Sequence, residues 1–193
     1  MMQLNKSDIV SDCVFRALSC MTPDNPETTR ILAKLRRGVG KSIDDSPETW
    51  EYVISVMPNE LLDNSGNGAT PTEAESAVYV ALTLYALHQQ SKSQNMNQAG
   101  VSFGEAVRKL VTPENKDAIT RRFNAVITAS DSTELAYHAR GLIQLMRSSD
   151  SPIGMDYHMF AKDLYNYQFP DGKKRVILRW GQNFYKINKE KDE

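Results

Sequence analysis

The sequence predicts an all-α protein of about nine helices, arranged as two small helical-bundle lobes over residues 1–95 and 101–193. Three observations predict it. Apolar residues recur with a 3.6-residue period along most of the chain. Helix start and stop residues punctuate those periodic stretches. No alternating apolar and polar run of four or more residues is bounded by hairpin turns, which argues against strands.

Each element has its own signal. From Asn5 to Cys20, the apolar positions Ile9, Val10, Cys13, Val14, Ala17 and Leu18 fall on one helical face. A second helix is expected from Pro26 to Arg37, stopped by Gly38. Ser46-Pro47-Glu48 reads as an N-cap, an N1 proline and a first-turn acid; Trp50, Val53, Ile54 and Met57 are expected inward, with Pro58 as the stop. Residues 63–70 form a polar, glycine-bearing loop. Thr70 and Glu73 have capping-box spacing and open the most apolar helix, through about His88. Lys92 to Gly100 is the best internal linker, polar and without periodicity. Ser102 and Glu105 repeat the capping-box spacing. Thr112-Pro113-Glu114 is expected to open a helix through Ile127, followed by helices at Ser132–Arg147 and Tyr157–Tyr167. Asp171 is expected to cap the last one, with Val176, Ile177, Trp180, Phe184 and Ile187 on its apolar stripe.

Composition excludes several classes. The chain has 193 residues, 40% apolar and 24% charged, enough to bury a core without disulfide or metal staples. If its two cysteines, Cys13 and Cys20, lie on one helix, they are about 10 Å apart along it, beyond bridging reach, as expected of a reducing, cytoplasmic protein. No stretch suits a signal peptide or a membrane span. The net charge of −1 conceals blocks. Residues 30–41 hold five bases and no acid, residues 42–75 hold eight acids and no base, and the last 33 residues hold eight bases against five acids.

No catalytic motif emerges. Gly38-Val39-Gly40-Lys41-Ser42 resembles the end of a P-loop, but Leu35 stands where its first glycine belongs and a basic helix stands where its strand belongs. His88, His138 and His158 are dispersed, and Asp156 with His158 is a two-ligand hint at most. The cysteines have no adjacent base, and the acidic block matches no metal loop. No cofactor is expected.

The bases carry more information. Arg30, Lys34 and Arg37 recur at i, i+4 and i+7 on a stripe about 10 Å long, with Arg36 at its apolar edge and Lys41 just beyond. Lys173, Lys174 and Arg175 crowd the expected first turn of the last helix, where the macrodipole opposes cations, and Arg179 follows on the same face. Placement against local stability suggests an external anion such as phosphate. Arg121 and Arg122 form a weaker patch, and Arg108, Lys109 and Arg140 complete the candidate nucleic-acid-binding set. Aromatic residues are not interleaved with these bases, so backbone contact is expected in preference to base reading.

At this point a family resemblance enters. It spans about residues 27 to 186 and rests on ordered blocks: Ala33-Lys34-Leu35-Arg36-Arg37-Gly38, Leu87-His88-Gln89, Ser102-Phe103-Gly104-Glu105-Ala106, Arg121-Arg122-Phe123, Asp156-Tyr157 with Phe160-Ala161-Lys162-Asp163-Leu164, and Arg179-Trp180 leading to Phe184-Tyr185. Together they resemble the CasB family, the small subunit of the type I-E CRISPR surveillance complex Cascade. The chain departs from the pattern in its acidic 42–75 segment, in its long polar loops, and at Phe103, where the family usually has leucine. The resemblance implies an all-helical, non-enzymatic subunit for antiviral defence. Its partners would be the backbone and large subunits of Cascade and a second copy placed head-to-tail. It would also help hold the crRNA–target duplex and the displaced single-stranded DNA. The rival reading is a helical protein–protein adaptor whose acidic face docks a basic partner.

Overall fold

In a computed structural model, residues 5–22, 25–62 and 70–186 are described. Among them lie nine α-helices and one 3₁₀ turn, with no strand. Helix α1 (Lys6–Ser19) starts where the Asn5 side chain accepts the Ser7 N–H. Helix α2 (Pro26–Arg37) is capped likewise by Asn25, whose side chain accepts the Glu27 N–H at 2.8 Å. Gly38 ends α2 as expected, yet with φ −82°; the left-handed residue is Gly40, at φ +80°.

Helix α3 (Pro47–Ser55) corrects one expectation. Val53 and Met57 are buried, but Trp50 and Ile54 are 42% and 39% exposed. Nine residues leaning on α2 and α4 have room for one inward stripe, and Thr49 and Val53 take it. Ser46 makes no capping bond; its hydroxyl lies 3.0 Å from that of Tyr79, to which it donates, while Tyr79 gives its own proton to the Gly38 carbonyl.

Helix α4 (Glu73–His88) is buried on nearly every side, packed by α1, α2, α3, α7 and α8. Its capping box is Thr72 with Glu75, two residues later than the spacing at Thr70 suggested. The Thr72 hydroxyl also donates to the Leu61 carbonyl at 3.0 Å, tying the helix start to the Asn59–Leu61 turn.

Helix α5 (Phe103–Arg108) is capped by Ser102. Helix α6 (Lys116–Ile127) begins later than Thr112. The Asn115 side chain accepts the Thr112 N–H and donates to the Leu110 carbonyl, which folds residues 112–115 into a turn. Helix α7 (Ser132–Ser148) is capped twice by Asp131, and α8 (Tyr157–Tyr167) by Asp156. Helix α9 (Pro170–Tyr185) overturns the expected Asp171 cap: Phe169 is the N-cap and Pro170, with its fixed φ, takes N1, placing Asp171 inside the first turn. The expected 63–70 loop, apart from Thr70, and Ile187 lie outside the described residues.

Helix α8 packs on α1, α4 and α9, while α5 packs on α9 and α6 on α7. One continuous apolar core joins residues of 1–95 and 101–193. Its aromatic centre is Phe103, Phe160 and Trp180, with ring centroids 4.8–5.9 Å apart. Residues 92–100 are non-helical but fastened. The Gln89 amide bonds the Lys92 and Gln94 carbonyls and the Met96 N–H, Met96 is buried, and Asn97 bridges to Met155.

Candidate nucleic-acid interface

Whether a surface base can hold a phosphate depends first on whether it is already neutralised. The structure divides the candidate cations on that criterion. Arg30 forks onto both carboxylate oxygens of Glu27, at 2.7 and 3.0 Å. That pair holds the Glu27 carboxyl below its usual range and raises Arg30. Lys34 reaches Glu51 on α3 at 3.2 Å, and Lys109 reaches Glu105 at 3.7 Å. The acid-free stripe of the sequence is therefore supplied with acids from just outside it.

Two of the C-terminal cations, Lys173 and Arg179, are held in a different way. Lys173 is half-buried. Its ammonium donates to the Ala129 and Ser130 carbonyls at 2.6 and 2.9 Å, beyond the end of α6, and stands over the Tyr167 ring. An internal acceptor thus explains a cation that local helix electrostatics disfavours. Arg179 pairs with buried Asp163, which also accepts the Trp180 indole N–H at 2.6 Å. Burial pushes the Asp163 carboxyl up, while Arg179 pulls it the other way. Lys174 meets Asp171 at 3.6 Å, fully in solvent. Arg175 is exposed without an ion pair among the described residues, and Arg108 is half-buried on α5.

What remains converges on α7. Gly40 turns the loop after α2 so closely over Arg140 that a Cβ at residue 40 would lie 2.8 Å from its Nη1. Its positive φ is the conformation glycine tolerates, so the sequence spends a glycine to bring the loop onto this arginine. Lys41 and Arg140 then border one cavity. On the opposite flank of α7, Arg122 extends from α6 over Gly141, its Nη1 3.7 Å from where a Cβ would be. Arg121, Arg122, Tyr137 and His138 line that groove. Farther along α7, Arg147 bonds the Gln90 side chain and lies close enough to half-buried Arg36 to lower its pKa, an effect second only to burial.

Tyr137, Arg140, Gln144 and Arg147 recur at i, i+3, i+7 and i+10, one stripe about 15 Å long. Arg36, Lys41, Arg121, Arg122 and Arg140 flank or join it with no ion pair among the described residues; Arg37 is exposed and unpaired on α2. Beside this band Glu134 accepts from Ser130 and stands 3.6 Å from His138. Tyr137, at one end of the stripe, is 70% exposed. Sequence reading missed Tyr137 and Arg147. The spacing from Tyr137 through Arg140 to Arg147 was there to be read, but single bases seven residues apart stand out less than a Lys-Lys-Arg run.

The other motifs resolve locally. Asp156 caps α8, accepts the Gly100 N–H at 2.8 Å and meets His158 at 3.0 Å, while His158 Nδ1 also meets Ser11. Among the described residues, no three His, Cys, Asp or Glu side chains converge as a metal site. Cys13 is buried and Cys20 exposed, both free. Residues 38–42 follow a helix and form a turn.

The model of CRISPR-associated protein Cse2 matches residues 31–185. The fold is similar to that of CasB from Thermobifida fusca, at 32% identity and TM-score 0.71, covering 94% of this chain and 99% of that one. CasB from Thermus thermophilus matches at 20% identity and TM-score 0.66, covering 95% and 100%. A chain of a CRISPR RNA-guided surveillance complex matches at 17% identity and TM-score 0.68, covering 93% and 95%. No curated protein sequence matches. A family model over four-fifths of the chain, and 32% identity with a CasB covered almost end to end, lead to one conclusion: this protein belongs to the Cse2 (CasB) family of CRISPR-associated proteins.

Proposed function

We propose that this chain is the non-catalytic small subunit of a Cascade surveillance complex, in the cytoplasm. It assembles with the backbone and large subunits and with a second copy head-to-tail. There it steadies the crRNA–target duplex and the displaced non-target strand through sequence-independent phosphate contacts. Family membership supports the assembly, as does the fold shared with a chain of an RNA-guided complex. One observation carries the nucleic-acid role: cations without ion pairs among the described residues gather along α7, while Arg30, Lys34, Lys109, Lys173, Lys174 and Arg179 are each met by a neighbouring acid or carbonyl.

The energetics suit that role. Replacing a DNA duplex by an RNA–DNA hybrid is nearly balanced, so contacts to the displaced strand decide how far the loop stays open. Those contacts need phosphate charge and no base code. A stripe about 15 Å long spans roughly four nucleotides at about 3.4 Å rise per strand. Trp50 and Ile54, exposed on the acid-bearing helix α3, suit a protein neighbour better than nucleic acid.

The test compares two sets of alanine substitutions in the assembled complex. Replacing Arg121, Arg122 and Arg140 lowers target-DNA affinity and non-target-strand protection; replacing Arg30 and Lys34 changes neither. Equal behaviour of the two sets, with both assembling normally, would remove α7 as the strand-binding face.

A further inference from the structure

The cavity between the 40–43 loop, α4 and α7 has a chemistry that phosphate contact alone leaves unused. Its volume is about 240 Å³. An apolar cavity of about 150 Å³ already admits a benzene ring, whereas pockets for drug-sized ligands begin near 300 Å³. The space therefore suits one flat heterocycle and is too small for a dinucleotide. Its walls are largely apolar, with Ala77, Val80, Leu84 and Leu164 contributing. Two cations without ion pairs, Lys41 and Arg140, stand at its edge, so a purely apolar occupant would leave them without an anion. Tyr137 lines both this cavity and the Arg121–Arg122 groove, and its ring is 70% exposed where the two meet.

Two polar groups of the lining offer acceptors, beside the hydroxyls of Ser76, Ser132 and Thr133, which can donate or accept. Thr83 donates its hydroxyl proton to the Val80 carbonyl at 3.1 Å, leaving its lone pairs. Gln168 commits its amide nitrogen to the Glu73 and Leu164 carbonyls, at 2.8 and 3.2 Å, which fixes the amide orientation and leaves its carbonyl oxygen open. Acceptors in an apolar slot suit an exocyclic amine on an aromatic ring.

We propose that this cavity receives a single unstacked nucleobase of a bound strand, its phosphate held by Lys41 and Arg140 and its ring covered by Tyr137. The proposal rests on the nucleic-acid role above and deepens it: the surface would hold the strand at one base as well as along its backbone. An amine-bearing base such as cytosine fits the acceptors.

The test measures binding of the full chain to a short oligodeoxycytidylate and to an abasic oligomer of equal length, across a salt series. Base–aromatic stacking of one ring predicts about tenfold tighter binding of the base-bearing strand, with the same salt slope for both. Ala136→Phe, which adds a ring to the cavity lining, abolishes the difference between the two strands. Equal affinities in the parent protein overturn the cavity, and that comparison stands even where the variant fails to fold. Tighter binding of free deoxycytidine monophosphate than of the strand also overturns it, since the site would then serve a free nucleotide. Absence of salt-dependent binding to either oligomer is a different failure, because it removes the nucleic-acid role itself.

Discussion

His88 shows how one buried side chain links acidity to folding. It is fully enclosed at the end of α4, with Nδ1 3.0 Å from the Tyr157 hydroxyl and Nε2 near the Ile153 carbonyl without a hydrogen bond. Burial pulls its pKa down from 6.5 to about 4. The folded state therefore resists a proton that the unfolded chain accepts. The associated stability is fully present above pH 6.5 and is lost as pH falls towards 4, up to about 3 kcal/mol. Unfolding titrations of the parent and of His88→Gln should converge as pH drops from 7 to 4; parallel curves would exclude His88 as the cause. Gly40 makes a second residue-scale case. Gly40→Ala forces a left-handed alanine, costing about 1 kcal/mol, and displaces the Arg140 guanidinium. Thermal melts should show the first effect and strand titrations a weakened affinity; unchanged strand binding would detach Arg140 from the interface. Side-chain pairing of this kind was barely legible beforehand. Lys34 meets Glu51 across seventeen residues, and Lys173 finds two carbonyls across more than forty, so nothing local in the sequence announced either.

At the scale of elements, the α5–α9 contact is set by a glycine. A Cβ on Gly104 would lie 2.2 Å from the Trp180 carbonyl oxygen, which is backbone and can yield only if the helices separate. Gly104→Ala should cost about 1–3 kcal/mol by overpacking. Gly181, on α9 itself, meets nothing within 4 Å, so Gly181→Ala should stabilise by about 0.5–1 kcal/mol through helix propensity. Chemical denaturation of the two variants distinguishes the effects, and shifts of the same sign would contradict the packing described. The same pair of helices is joined to α8 by Asp163, Arg179 and Trp180. Arg179→Ala should lower stability by about 1.5–3 kcal/mol. Without the guanidinium, burial raises the acid further above its unfolded value, so the loss is smaller near pH 5 and grows as pH rises. A loss independent of pH would sink that account. Elements themselves were largely legible: the periodicity and caps placed Pro26–Arg37 and Tyr157–Tyr167 at their observed bounds. Starts were less so, because Thr72 and Asn115 are selected by bonds to Leu61, Leu110 and Thr112 that compete with nearer capping signals.

For the whole molecule, charge distribution governs the expected binding. Neutralising about three to five phosphates gives a log–log salt slope of roughly −2 to −3.5 on single strands. Filter binding or fluorescence anisotropy across a salt series measures it, and a flat line would contradict backbone contact. Composition and block asymmetry already pointed to nucleic acid, but which bases were free depended on tertiary neighbours, such as Glu51 of α3 reaching Lys34 of α2. The fastening of residues 92–100 has a practical consequence. Polar, aperiodic and placed mid-chain, this stretch is where an engineer would open the polypeptide to insert a fluorescent reporter or a cleavage sequence. Its backbone, however, is gripped by Gln89 from one side and by Met155 from the other, with Met96 serving as a buried plug. Proteases need an extended, accessible backbone, so trypsin should spare Lys92 in the native protein. A reporter spliced in at Met96 should yield insoluble protein.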